Sequence, residues 1–244
     1  MKNQQRPRPP VQSDGRTLDV HSIFPTIQGE GPFAGCPAVF IRLLDCNLQC
    51  PLCDTEYTQN GLGALTVKQI VDEVAMRRVP GVSLAVITGG EPFRQNLSQL
   101  MEELLRVLGM HSQVETNGML PIQAVDKIRG LVGEGFVSIV VSPKTHKLRE
   151  EYGELASAFK YVVRAGDVDE DGLPIHALDH PVPKHERVAR PPAAFRGDIF
   201  VQPADEKDFY SNQQNMAQAV KSALMLDRGR RRLCLQMHKY AELP

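Results

Sequence analysis

Apolar positions along this chain follow two rhythms. Short β-branched runs mark buried strands, and stripes repeating every three to four residues mark helices. After an opening segment at 19–24, the run AVFIRLL at 38–44 reads as the first clear strand. Residues 66–78 read as a helix: Thr66 is placed to cap it, and Val67, Ile70, Val71, Val74 and Ala75 share one face. Residues 84–87 read as a short buried strand. Residues 96–108 read as a second helix striped by Leu97, Leu100, Met101, Leu104, Leu105 and Leu108. Further strands are expected near 113–114, 137–141, 159–163, 198–201 and 232–235. Further helices are expected at 122–129 and at 211–226, the latter striped by Met216, Ala219, Val220, Ala223 and Leu224.

Two stretches break the rhythm. Residues 1–18 are polar and rich in Pro and Arg, and read as a flexible tail ahead of one domain at 19–244. Residues 164–197 hold Pro174, Pro181, Pro183, Pro191 and Pro192 among scattered charges, and read as a long irregular surface insertion. Strands alternating with helices imply βαβ units and a parallel sheet. Eight full units usually take roughly 250 residues without a tail or insertion. The expected fold is therefore α/β, a partial, open barrel of the (β/α)6 type.

Polar segments sit just after the expected strands: Thr88-Gly89-Gly90-Glu91-Pro92, Glu115-Thr116-Asn117-Gly118, Ser142-Pro143-Lys144, Gln202-Pro203 and Gln236-Met237-His238. In parallel α/β folds the C-terminal strand ends carry the active site. A merely structural chain has no reason to place such residues at every one of those ends.

Composition narrows the class. Hydrophobic residues make up 42% and charged residues 23% of 244, with a formal net charge of −1, so direct nucleic-acid binding is not expected. The arginines at 228–232 read as a solvated turn. No apolar run is long enough for a bilayer, and the N-terminus lacks a signal-like apolar core. The expectation is a cytoplasmic protein without membrane contact. In that reducing setting clustered cysteines read as metal ligands or catalytic groups. Cys36 and Cys234, each among apolar neighbours, read as small buried hydrophobes.

Cys46, Cys50 and Cys53 lie in one short window, spaced C-x3-C-x2-C. Thiolates suit iron–sulfur clusters and zinc. Three ligands leave one coordination position open, a mark of a catalytic metal site. No fourth cysteine is near, and a closed zinc site would need a distant His21 or His111. A zinc-bearing regulatory module and a redox dithiol remain as alternatives.

The triplet, with Gly89-Gly90-Glu91-Pro92 about forty residues downstream, resembles the radical S-adenosylmethionine (SAM) superfamily. The resemblance implies a [4Fe–4S] cluster on Cys46, Cys50 and Cys53. It implies that SAM binds the open iron and is cleaved reductively to a 5′-deoxyadenosyl radical. It assigns SAM contacts to Leu52, Cys53, Asp54, Gly90, Glu91, Glu115, Ser142, Pro143 and Lys144. Leu52 is a departure, because the superfamily usually has an aromatic residue there.

Further motifs narrow the resemblance: Ile27-Gln28-Gly29-Glu30-Gly31, Arg42, Asp54-Thr55, Thr88 and the terminal Gln236-Met237-His238-Lys239. In this order, over about 19–163 and the last strand with its tail, the chain resembles the 7-carboxy-7-deazaguanine synthase family. That implies a lyase converting 6-carboxy-5,6,7,8-tetrahydropterin to 7-carboxy-7-deazaguanine with loss of ammonia, on the route to queuosine and other 7-deazapurines. It implies Mg²⁺ at Thr55, and substrate contacts from Ile27, Gln28, Gly29, Arg42, Thr88 and the terminal Pro244. It also implies an external electron donor of flavodoxin or ferredoxin type, and a homodimer. The alternative within the superfamily is activation of a glycyl-radical enzyme, which needs a protein-docking surface instead of a pterin pocket.

Overall fold

Strand β1 (Thr17–Ile27) turns back through a single 3-10 turn (Gly31–Phe33) into β2 (Pro37–Leu43), and the two pair antiparallel. A four-residue strand, β3 (Gly63–Thr66), flanks β1 antiparallel and runs straight into α1 (Val67–Arg77). Thr66 closes a capping box there: its hydroxyl accepts the Gln69 N–H, and the Gln69 side chain accepts the Thr66 N–H. These findings come from a computed structural model, which describes residues 3–58, 60–225, 230–241 and 243.

From β2 onward every pairing is parallel. The sheet continues through β4 (Leu84–Gly89), β5 (His111–Thr116), β6 (Val137–Val141), β7 (Ala158–Val163), β8 (Asp198–Pro203) and β9 (Arg230–Leu233). The order is β3-β1-β2-β4-β5-β6-β7-β8-β9. Among the described residues the outer strands do not meet, so the expected open α/β architecture is what the chain forms. Helices α2 (Ser98–Leu108), α3 (Val125–Gly133), α4 (Glu151–Leu155) and α5 (Phe209–Leu224) make the crossovers after α1, and a short α6 (Met237–Tyr240) follows β9. The apolar stripes of α1 and α2 bury Ile70, Val74, Leu100 and Leu104 against strand residues such as Ile41 and Ile87. Each such side chain contributes about 1.5–3 kcal/mol on burial.

Three segments differ from the sequence expectation. The tail is not free. Its irregular backbone is tied down: the Val11 N–H donates to Arg94 O (2.7 Å), and the buried Arg94 guanidinium donates to Pro9 O (2.8 Å). A Pro-rich extended backbone makes no internal hydrogen bonds, so its carbonyls stay open to such donors.

The insertion is irregular, as expected, but it is not merely a surface loop. It stands where a helix would connect β7 to β8, and it buries Leu173, Ala177, Val188 and Phe195 in the main core. The Arg190 guanidinium organises it, binding Asp171 (2.7 Å) and the Pro174 carbonyl (2.8 Å). The arginines expected in a solvated turn instead build β9, where Arg230 and Arg232 pair with Asp198 (3.3 and 3.0 Å). The rest of that expected turn, 228–229, lies outside the described residues.

Candidate active site

The C-terminal ends of the parallel strands surround a cavity of about 740 Å³. The cysteine loop enters it from the end of β2. The Gly90 N–H donates to Leu43 O (3.2 Å) and the Glu91 N–H to Asp45 O (2.9 Å). Gly89 takes a φ of +127°, and a methyl on Gly89 or Gly90 would overlap the backbone of Leu43 or Asp45. The glycine pair therefore lets the end of β4 press directly on the root of the cysteine loop.

Cys46 and Cys50 are buried, Cys53 is half-buried, and all three line the cavity. Burial pushes the Cys46 thiol up to about 12 and the Cys50 thiol up to about 11. Leu48 and Tyr57 pack with them, and Met119 and Leu178 close the cluster. Such thiols ionise only against a strong positive partner, and bound iron is one. A cubane takes each thiolate on a different iron, so the donor set fits a cluster.

Glu91 is buried and already committed. Its carboxylate accepts Thr116 Oγ1 (2.6 Å), the Asn117 N–H (2.7 Å) and the Phe93 N–H (3.1 Å). Burial raises its pKa, and these donors oppose the rise. Lys144 is half-buried and donates to Ser142 O (2.8 Å) and Ser142 Oγ (2.5 Å). Burial lowers its pKa, and the nearby Cys50 opposes that.

Arg42 lies over the Phe24 ring (5.1 Å to its centroid), and its buried Nε has no hydrogen-bond partner. Burial lowers its pKa, against Asp54 and Cys53, which favour its charge. A buried guanidinium N–H without an acceptor fits an incoming carboxylate. Ile27, Thr88, Leu52 and Thr55 also line the cavity, and the Thr55 hydroxyl donates to Asp54 (3.3 Å). Gly29 and Pro143 are not in the wall. Gly29 lies against His238 so closely that any side chain there would displace it. Pro244 lies outside the described residues.

A buried polar network joins residues of three motifs read from the sequence to Lys160, which was not singled out. Gln28 Nε2 donates to Glu115 (2.9 Å), Lys160 pairs with Glu30 and stands 4.0 Å from Glu115, and Gln236 Nε2 donates to Glu30 (2.8 Å). Lys160 was legible in principle, since a lysine inside AFKYVV is a charge in an otherwise apolar strand. Glu30 pays for burial but is held down to about 2 by Lys160. Lys160 also meets desolvation, but its two carboxylate neighbours raise its pKa overall.

The insertion and the last helix complete the wall. The Leu52 N–H donates to Leu178 O (3.2 Å), and Asp167, His176 and Asp179 face the same cavity. Lys239 of α6 pairs with Asp54 (3.3 Å) and Asp205 (3.2 Å), joining the cysteine loop to the end of β8.

Comparisons with known proteins agree with this geometry. The family description "Radical SAM superfamily" matches residues 41–157, which run from β2 through the cysteine loop to the turn before β7. A 7-carboxy-7-deazaguanine synthase of Rhodospirillum rubrum is 38% identical over 242 residues, covering 97% of each chain. One from Rickettsia prowazekii is 37% identical over 240 residues, covering 94% of this chain and 90% of its own. The crystal structure of QueE from Escherichia coli shares the fold, with a TM-score of 0.61 at 21% identity, over 90% of this chain and 93% of that one. The fold and cysteine site thus define a radical SAM protein, with a [4Fe–4S] cluster and SAM as its cofactors. Within that class the chain belongs to the 7-carboxy-7-deazaguanine synthase family.

Proposed function

We propose that this protein converts 6-carboxy-5,6,7,8-tetrahydropterin to 7-carboxy-7-deazaguanine with loss of ammonia. The observation that carries the reading is the shared cavity: Arg42, with its unpartnered Nε, lines the same space as the three thiols. A substrate carboxylate gripped by Arg42 would sit within reach of chemistry started at the cluster. When bound, the cluster and SAM supply the radical that takes a hydrogen atom from the substrate.

The chain's own residues bind, orient and shield. Lys144, held by Ser142, offers positive charge to the carboxylate of SAM. Glu91, consumed by Thr116, Asn117 and Phe93, fixes the loop whose Gly90 backbone would meet SAM. Glu115, oriented by Gln28 and Gln113, offers an acceptor at the cavity wall. Ile27, Gln28 and Thr88, which line the cavity, would meet the ring. Thr55 offers a hydroxyl to Mg²⁺, a hard cation that would complete its shell with substrate oxygens and water. The insertion, pinned at Leu178, keeps bulk water from the reacting centre.

The test is an anaerobic assay of cluster-loaded protein with the carboxytetrahydropterin, SAM, Mg²⁺ and a low-potential reductant. The expected result is the deazaguanine product, with about four irons and four sulfides per chain. No product from iron-loaded protein would overturn the proposal. A flavodoxin- or ferredoxin-type electron donor, a homodimer and a cytoplasmic setting belong to the same proposal, and light scattering tests the dimer.

A further inference from the structure

The cysteine loop has almost no backbone partners of its own. Among the described residues between the end of β2 and the start of β3 no helix or strand forms, and the internal bonds are few, such as Cys53 N–H to Cys50 O (3.1 Å) and Asp45 N–H to Tyr57 O (3.0 Å). Buried carbonyls without donors carry a penalty. The N-terminal segment supplies the donors. The Asn3 N–H reaches Pro51 O (2.9 Å), Asn3 Nδ2 reaches Cys50 O (3.1 Å), the Arg8 N–H reaches Cys46 O (2.8 Å), and Gln5 Nε2 reaches Thr55 O (2.8 Å).

Two bonds run back. Gln49 Nε2 donates to Asn3 O (3.1 Å), and the Tyr57 N–H donates to Gln5 Oε1 (2.8 Å). The Gln5 carboxamide therefore pairs residues 55 and 57 as the peptide of a neighbouring strand would. Of the four carbonyls held, two belong to the ligands Cys46 and Cys50, and the others lie one residue after Cys50 and two after Cys53.

We infer that Asn3 and Gln5 are positioning residues for the iron–sulfur cluster, and that segment 3–8 is a strap holding the three thiols in their ligating arrangement. The strap acts on the loop and touches no reacting atom. This rests on the assignment of Cys46, Cys50 and Cys53 as cluster ligands, and is independent of the pterin reading. Opening of the loop is a local event whose frequency depends on the bonds that close it. Without the strap the thiols open more often, and the cluster is lost faster.

The experiment compares the full unmodified chain with N3A/Q5A and with Gln5→Glu, all reconstituted anaerobically. Three quantities are read: thermal unfolding of the cluster-free chain, the rate at which the cluster's visible absorbance bleaches in air, and the electron paramagnetic resonance spectrum of the reduced cluster with SAM. In N3A/Q5A the unfolding temperature holds, bleaching runs about tenfold faster, equivalent to about 1.4 kcal/mol, and the spectrum broadens. Gln5→Glu keeps the acceptor for Tyr57 but loses the donor to Thr55, so its rate falls between the two.

Unchanged bleaching and an unchanged spectrum in N3A/Q5A would overturn the inference. So would a fall in unfolding temperature that accounts for the faster bleaching, because the strap would then serve the fold alone. Lack of iron in the unmodified chain would overturn the ligand assignment and this inference with it. Pterin turnover enters none of these readouts, so failure of the proposed reaction and failure of the strap are told apart.

Discussion

Glu91 and Asn117 meet through a 2.7 Å hydrogen bond, from the Asn117 backbone N–H to Glu91 Oε2. The bond ties the segment after β4 to the segment after β5. Asn117 Nδ2 then donates to Asn47 Oδ1 (2.7 Å), which carries the connection into the cysteine loop. Glutamate at 91 thus acts as an anchor for three donors.

Glu91→Gln replaces one acceptor oxygen with an N–H2 group facing those donors. The expected cost is about 1–3 kcal/mol of folding stability, the range for a buried polar group left without its partner. SAM affinity should fall as well, since Gly90 and Asn47 lose their common anchor. Chemical denaturation of the cluster-free protein and calorimetric SAM titration check the two effects separately.

Lys160 and Glu30 form a buried pair, so removing one partner strands the other. Lys160→Met should destabilise the fold by about 3–5 kcal/mol, the usual range for an uncompensated buried charge. The double change Lys160→Met with Glu30→Gln should recover much of that loss. A double-mutant cycle in urea measures the coupling. Additive single effects would count against the pair.

The same pair sets an acid limit. Burial alone would raise the Glu30 pKa, but Lys160 overcomes it and holds the folded value near 2, against an ordinary 4.5. A depressed carboxylate contributes stability that is fully present above its unfolded pKa and is lost as pH falls through the folded one. The contribution of Glu30 should therefore fade between about 4.5 and about 2. Urea denaturation across that window should show a steeper decline for the unmodified chain than for Glu30→Gln.

Arg42→Lys keeps the charge but removes the planar fork that matches a carboxylate. A charge-assisted bond is worth about 1.5–3 kcal/mol, so kcat/KM for the carboxypterin should fall roughly 10- to 150-fold. The loss should appear largely in KM, because the grip exists before the reaction begins. Steady-state kinetics under anaerobic conditions decide this, with SAM affinity as the control that should hold.

How much of this was legible depended on how far each feature's cause lay along the chain. The strand expected at 137–141 forms as Val137–Val141, because VSIVV is a continuous apolar run buried in a parallel sheet. β3 was missed: GALT is four residues, half exposed, and exists because it borders β1. α4 was missed because EYGEL is too short to show a period. The helix expected at 122–129 starts later, at Val125, after Ala124 takes a left-handed φ of 52°.

In the site, the strand-end rule brought Gly90, Glu91, Ser142 and Lys144 to the cavity edge in advance. It could not show that Glu91 is consumed by Thr116 and Asn117, since that depends on β4 and β5 lying side by side. The N-terminal segment misled for the same reason. Its composition signals disorder, and only the folded chain brings Arg94 and the cysteine loop to its carbonyls and amides.

The join made by Lys239 between Asp54 and Asp205 has a consequence for biosynthesis. On the ribosome the cysteine loop and the segment that binds it emerge well before Gln236 and Lys239. During elongation the loop therefore stands for a time without its partner on the α6 side. That interval is when an iron–sulfur donor has the freest approach to the thiols, and docking of Lys239 ends it.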